Sequence, residues 1–238
     1  SLSGDILPGE IIRISDGDIE RRVACRSERH SHCMFEYVYF AREDSIIEGI
    51  HIYDVRLRLG SILSELYPID ADYVIPVPDT GIVPAIGFSR SSGIPLAYGL
   101  VRNKYVGRTF IMPQQQMREG AVRVKLGVIR SVVSGKRVVV VDDSIVRGTT
   151  SKFIVELLRS FNASEVHLRI CCPPILSPCY MGIDFPSHKE LIASKMDVEG
   201  IRKFIGADSL GYMTIDGLVS GIGLPREELC LACLTGEY

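Results

Sequence analysis

Residues 138–150, VVVVDDSIVRGTT, constrain the fold of this chain more than any other stretch. Four consecutive β-branched residues read as a strand buried on both faces, the habit of parallel sheets covered by helices. The run stops at two acids, Asp142 and Asp143, and passes into a polar turn containing Gly148. Phe153, Ile154, Leu157, Leu158 and Phe161 then recur at helical spacing. The unit is strand, acidic pair, loop, helix. In an open α/β sheet the ligand lies beyond the carboxyl ends of the strands. The helix begins near Thr149, where free backbone N–H groups and the helix dipole favour an anion. Two carboxylates beside such a loop suit a ligand with a phosphate and either hydroxyls or a cation. A sugar phosphate with bound magnesium satisfies every one of these groups.

The rest of the chain is compatible with that core. Its 238 residues, 46% hydrophobic, allow one sizeable α/β core with appendages. Alternating strands and helices predict a mostly parallel sheet flanked by helices. The expected elements are a strand at 10–14, a turn at 15–20, an aromatic strand within 32–42 and a helix over 51–66. They continue with strands at 73–77 and 95–98, a helix from 82, a strand at 166–171 and short helices at 189–193, 198–205 and 215–221. Residues 101–117 show no period, and 118–133 stay ambiguous between helix and strand. The N-terminal hairpin is marginal alone and needs a surface to pack on.

Composition narrows the function. A net charge of −2 argues against a nucleic-acid surface. No apolar run nears the roughly 20 residues that span a membrane, and the first residues lack the pattern of a signal peptide. A cytoplasmic protein is expected, and the odd count of seven cysteines does not suggest a disulfide framework.

Residues 138–150 resemble the phosphoribosylpyrophosphate (PRPP) signature of the type I phosphoribosyltransferases. The resemblance implies that fold, here with an elaborated C-terminal region. It makes Asp142 and Asp143 the holders of the ribose 2- and 3-hydroxyls. Ser144, Ile145, Val146, Arg147, Gly148, Thr149 and Thr150 become substrate-binding positions, with 145–150 wrapping the 5-phosphate. The segments CMFEYVYFAR, IPVPDTGI, RNKYVGRTFIMP, PCYMGIDFPSHKELIA, IGADSLGYMTIDGL and CLACLTGEY follow one another in this order. Together they resemble the glutamine PRPP amidotransferase family over almost the whole chain. That family implies displacement of pyrophosphate from C1 of PRPP by ammonia, giving 5-phosphoribosylamine at the start of purine synthesis. It implies magnesium contacts at Thr80, Asp142 and Asp143, and a mobile loop whose Lys104 and Arg108 clamp pyrophosphate. Arg118 and Lys125 resemble positions that contact inhibitory purine nucleotides. Homo-oligomers are the family habit.

Two departures matter. The family's N-terminal glutaminase domain begins with a cysteine, whereas Ser1 opens this sequence. Residues 1–27 resemble only the end of that domain, leaving 28–238 as the transferase; glutamine hydrolysis is not expected from this chain alone. Cys33, Cys179, Cys230 and Cys233 match positions at which a branch of the family carries a [4Fe–4S] cluster, and four such thiolates could equally hold zinc. Cys25, Cys171 and Cys172 are expected to be buried thiols, and His30 and His32 solvated. Two other functions stay open: a PRPP-binding regulatory module without catalysis, and a nucleobase phosphoribosyltransferase.

Overall fold

The computed structural model describes residues 6–26, 30–103, 126–183 and 187–238. An N-terminal hairpin, β1 (Glu10–Ser15) and β2 (Asp18–Val23), leads to the short strand β3 (His32–Cys33). A π-helix (Glu36–Phe40), a small ribbon of β4 (Ile46–Ile47) and β5 (Ile50–His51), and helix α1 (Ile52–Leu66) follow. Then come β6 (Tyr73–Pro76), α2 (Ile82–Ser92), β7 (Leu100–Arg102), β8 (Leu126–Val128) and α3 (Arg130–Val133). The expected central unit is β9 (Arg137–Asp142) and α4 (Thr149–Ser160). Next are β10 (Glu165–Ile170), α5 (Val198–Ile205), β11 (Ser209–Tyr212) and α6 (Ile215–Ile222). The tail closes with β12 (Leu229–Cys230) and α7 (Ala232–Thr235).

The main sheet is parallel, in the order β11-β10-β9-β6. The four valines divide by the period of two that any strand imposes. Val139 and Val141 face a core with Val55, Leu59 and Leu63 of α1, Phe88 of α2 and Leu218 of α6. Val138 and Val140 face a second core with Ile154 and Leu158 of α4 and Ile201 and Ile205 of α5. All four are fully buried, which explains an unbroken apolar run where a half-exposed strand would alternate.

Several expectations are corrected. The aromatic stretch after Cys33 is a helical turn passing into the π-helix, not a strand. Met34, Phe35, Tyr37 and Val38 are its buried residues, a one-three-four spacing that local alternation of aromatics concealed. The predicted strand at 95–98 reduces to one parallel bridge, Val74 to Leu96. The predicted helix at 189–193 is a turn followed by a short 3₁₀ turn, Ile192–Ser194. Strand β11 escaped the sequence reading because Ser209 and Gly211 interrupt its apolar pattern. Cys25 is exposed, against expectation, while Cys171 and Cys172 are buried. The hairpin pairs from Glu10↔Val23 to Ser15↔Asp18, yet Ile14 is 72% and Ile19 54% exposed. The described residues of this chain therefore do not supply the surface it needs. No helix among the described residues is long and apolar enough to cross a membrane.

Candidate active site at the ends of β6 and β9

Asp142 is the last residue of β9 and Asp143 the first beyond it. The neighbouring strand β6 runs parallel with Pro76 opposite Val141, and the Val77 N–H donates to the Val141 carbonyl at 2.9 Å. The two chains therefore leave the sheet side by side, and the loop after β6 turns across the acids. The Thr80 hydroxyl donates to Oδ2 of Asp143. The Ser144 hydroxyl donates to Oδ1 of the same carboxylate at 2.5 Å, while the Asp143 backbone N–H donates to Oδ1 of Asp142 at 2.9 Å. Gly81 permits this close approach: a Cβ there would stand 2.5 Å from the Val141 carbonyl oxygen and 2.6 Å from that of Val77. The peptide bond between Pro78 and Asp79 is cis.

Both carboxylates are nine-tenths buried, and among the described residues no Lys, Arg or His forms an ion pair with either. Burial, reinforced by the charge of Asp143, pushes the Asp142 carboxyl well above the usual range. Burial also raises Asp143, opposed by the hydroxyls of Ser144 and Thr80 and by the guanidinium of Arg56. A close pair of hard oxygen ligands held against its own repulsion has the donor chemistry that magnesium prefers.

The loop is fixed from both sides. Ile145 is buried in the second core, the Val146 carbonyl accepts the Ile192 N–H at 2.9 Å, and Arg147 pairs with Glu190 at 2.8 Å. Gly148, at φ +77°, turns the chain into α4 as its N-cap, and no side chain caps the helix. The N–H groups of the first turn are thus free of intrahelical partners. Thr149 and Thr150 stand exposed beside them. Carboxylates on one side and free amides with hydroxyls on the other can hold a ligand that is a diol at one end and a phosphate at the other.

Sequence reasoning missed two cations. Arg56 lies on the apolar face of α1 and is 1% exposed. It donates to the carbonyls of Tyr37 at 3.1 Å, Tyr39 at 3.1 Å and Ala41 at 2.7 Å, with Glu43 at 3.3 Å. Its position one turn after Ile52 was the available signal. Arg102, at the end of β7, donates to the Asp79 carboxylate and so ties that end of β7 to the β6 loop. Lys104, Arg108, Arg118 and Lys125 lie outside the described residues.

The four cysteines matched to a metal centre are brought to one region. Cys33 and Cys230 are register partners in the β3–β12 pair. The Cys233 thiol is pushed up to about 12 by burial, with the charges of Cys33, Cys230 and Cys179 adding to the effect. Cys179 Sγ accepts the Met181 N–H at 3.3 Å. Among the described residues, no three His, Cys, Asp or Glu side chains are grouped closely enough to hold a metal. His30 is exposed; His32 is half-buried, 3.7 Å from Glu48.

Known proteins place these features in context. Over 98% of its length the chain is 55% identical to an amidophosphoribosyltransferase of Methanocaldococcus jannaschii, covering 52% of that protein. It is 48% identical to the amidophosphoribosyltransferase of Bacillus subtilis, covering 50% of it. It thus spans about half the length of these curated relatives. Among solved structures, it matches the B. subtilis glutamine PRPP amidotransferase complexed with ADP and GMP at a TM-score of 0.86 and 48% identity, over 98% of this chain and 52% of that one. The family profile described as the phosphoribosyl transferase domain matches residues 51–174, from the start of α1 past the end of β10. That span contains Thr80, both acids and the whole loop into α4, and by it the chain belongs to the phosphoribosyl transferase family.

Proposed function

We propose that this chain transfers ammonia to C1 of PRPP, releasing pyrophosphate and forming 5-phosphoribosylamine, the first step of purine synthesis. The observation that carries this reading is the acidic pair at the end of β9, joined through a fixed loop to an uncapped helix N-terminus. Identity of 45–55% to amidophosphoribosyltransferases across 98% of the chain favours ammonia over a nucleobase as acceptor.

Asp142 and Asp143 accept hydrogen bonds from the ribose 2- and 3-hydroxyls. The amides and hydroxyls of 145–150 hold the 5-phosphate, with Ser144 bracing Asp143. Ammonia attacks C1, the bond from C1 to the pyrophosphate oxygen breaks, and the nitrogen then loses a proton. Positive charge grows on the ribose ring and negative charge on the leaving group, so fixed charges matter more than a strong base. Thr80, Asp142 and Asp143 are the residues that would hold magnesium through substrate oxygens, and the ion would neutralise charge on the departing pyrophosphate. Lys104 and Arg108 would clamp that pyrophosphate and keep water from C1. Arg118 and Lys125 would bind inhibitory purine nucleotides, a reading to which the ADP and GMP of the B. subtilis complex lend support.

Cys33, Cys179, Cys230 and Cys233 would hold a [4Fe–4S] cluster, or zinc in its place. Soft thiolates suit either group, and the mutual influence on Cys233 supports their convergence. Such a centre is structural here, since none of the four belongs to the acidic pair or its loop. Residues 1–27 would belong with a glutaminase domain and 28–238 with the transferase, and the exposed face of the hairpin is consistent with that division. We place the protein in the cytoplasm, as a homo-oligomer.

The test is pyrophosphate release from PRPP and magnesium with ammonium chloride or glutamine as nitrogen source. Turnover with ammonium, rising with pH as free ammonia increases, is the expected result. PRPP binding without turnover would favour a regulatory module, and consumption of a free base would favour a nucleobase transferase.

A further inference from the structure

Beyond β9 and β10 the ladder continues for two more residues. The Cys171 N–H donates to the Asp142 carbonyl at 3.0 Å and the Cys172 N–H to the Asp143 carbonyl at 2.8 Å. The backbone of the acidic pair therefore rests on Cys171 and Cys172, both buried. Pro173 and Pro174 follow, and their fixed φ angles leave this segment little freedom to absorb a displacement. At its far end, the N–H groups of Leu176 and Ser177 both donate to one acceptor, the Cys233 carbonyl, at 2.9 and 3.0 Å. Cys171, Cys172 and Ile175 share a buried cluster with Leu229, Leu231, Cys233 and Leu234 of the tail. A second connection runs through β12, which pairs with β3. Strand β3 leads into the π-helix whose carbonyls Arg56 holds.

We propose that the C-terminal tail, residues 229–235, is a positioning element for the acidic pair and acts on it through residues 171–177. The proposal deepens the PRPP reading above and rests on it for its functional consequence. Among the described residues, no hydrogen bond joins the tail to Thr80, to the acidic pair or to the loop at 145–150. It fixes one end of a stiff segment whose other end carries the carbonyls of Asp142 and Asp143. Displacing the tail releases Cys171 and Cys172 before it exposes the rest of the sheet, and the two carboxylates then lose their set relation to the loop at 145–150.

The test compares Leu234→Ala, in the tail, with Leu218→Ala, in α6. Both leucines are buried in the same core, so both truncations remove the same atoms from it. Two quantities are read on identically prepared anaerobic protein: amide hydrogen exchange at Cys171 and Cys172, and the Kd for PRPP with magnesium. Leu234→Ala should speed exchange at the two amides about tenfold, a local opening rather than global unfolding. It should raise the Kd about fivefold, within the range of coupling between packed segments. Leu218→Ala should lower Tm comparably and leave both quantities within about twofold. Equal effects from the two variants, or unchanged amides in Leu234→Ala, would overturn the proposal. Should Leu234→Ala not fold, Leu234→Val decides in the same way, with about threefold faster exchange expected. If the unaltered chain does not bind PRPP, the reading of the site fails, while the exchange data still judge the mechanical link.

Discussion

Replacing Asp142 with asparagine separates what the acidic pair does for the fold from what it does for the ligand. Asparagine keeps the shape and the acceptor for the Asp143 N–H, now 2.9 Å from Oδ1. It replaces the second oxygen with a donor and removes one of two neighbouring buried charges. Both aspartates are raised by burial, so the folded chain holds protons that the unfolded chain has released. Folding is then penalised as pH climbs above the ordinary aspartate value of 3.8. Asparagine carries no such penalty. Asp142→Asn should therefore match the wild type near pH 3–4 and become the more stable protein as pH rises toward neutrality, with a higher Tm. Binding should move the other way. One charge-assisted hydrogen bond to a ribose hydroxyl is lost, about 1.5–3 kcal/mol, or roughly 10- to 150-fold in Kd. Thermal melts across pH and calorimetric titration with PRPP and magnesium measure the two effects. A variant with lower Tm at neutral pH, or with unchanged Kd, would refute the argument that the pair is strained for binding.

Further expectations follow from the same geometry. His167 on β10 is buried, 2.9 Å from Glu165 and 3.0 Å from Ser209, near Arg169 and Asp208. Burial lowers its pKa below 6.5, so the chain should lose stability as pH falls through that value, and His167→Gln should flatten this part of the Tm profile. Arg56→Met leaves the carbonyls of Tyr37, Tyr39 and Ala41 without their donor. A loss of about 2–4 kcal/mol in denaturant unfolding is expected, with Arg56→Lys recovering part of it. Anaerobically purified protein should be brown and contain about four irons per chain. Stoichiometric zinc would identify a zinc centre instead, and Cys230→Ser and Cys233→Ser variants as stable as the wild type would reduce the four cysteines to packing thiols.

The central unit is legible in the order of the amino acids, because its signals are local. Four valines, two acids, a glycine and a helical period leave one way to order strand, loop and helix, and β9 and α4 fall where that order requires. Helix α1 is legible in the same way from its apolar face, and 198–205 and 215–221 read as short helices where α5 and α6 lie. The meeting of Thr80 with Asp143 was suggested by family resemblance, but the side-by-side exit of β6 and β9 is what produces it. The π-helix after Cys33 depends on long-range contact, since Arg56, nineteen residues on from Tyr37, satisfies its carbonyls. So does strand β11, through its pairing with β10. A period can be read along a chain; a hydrogen bond between residues distant in sequence exists only after the chain has closed on itself, and the seat of the acidic pair on Cys171 and Cys172 is of that second kind.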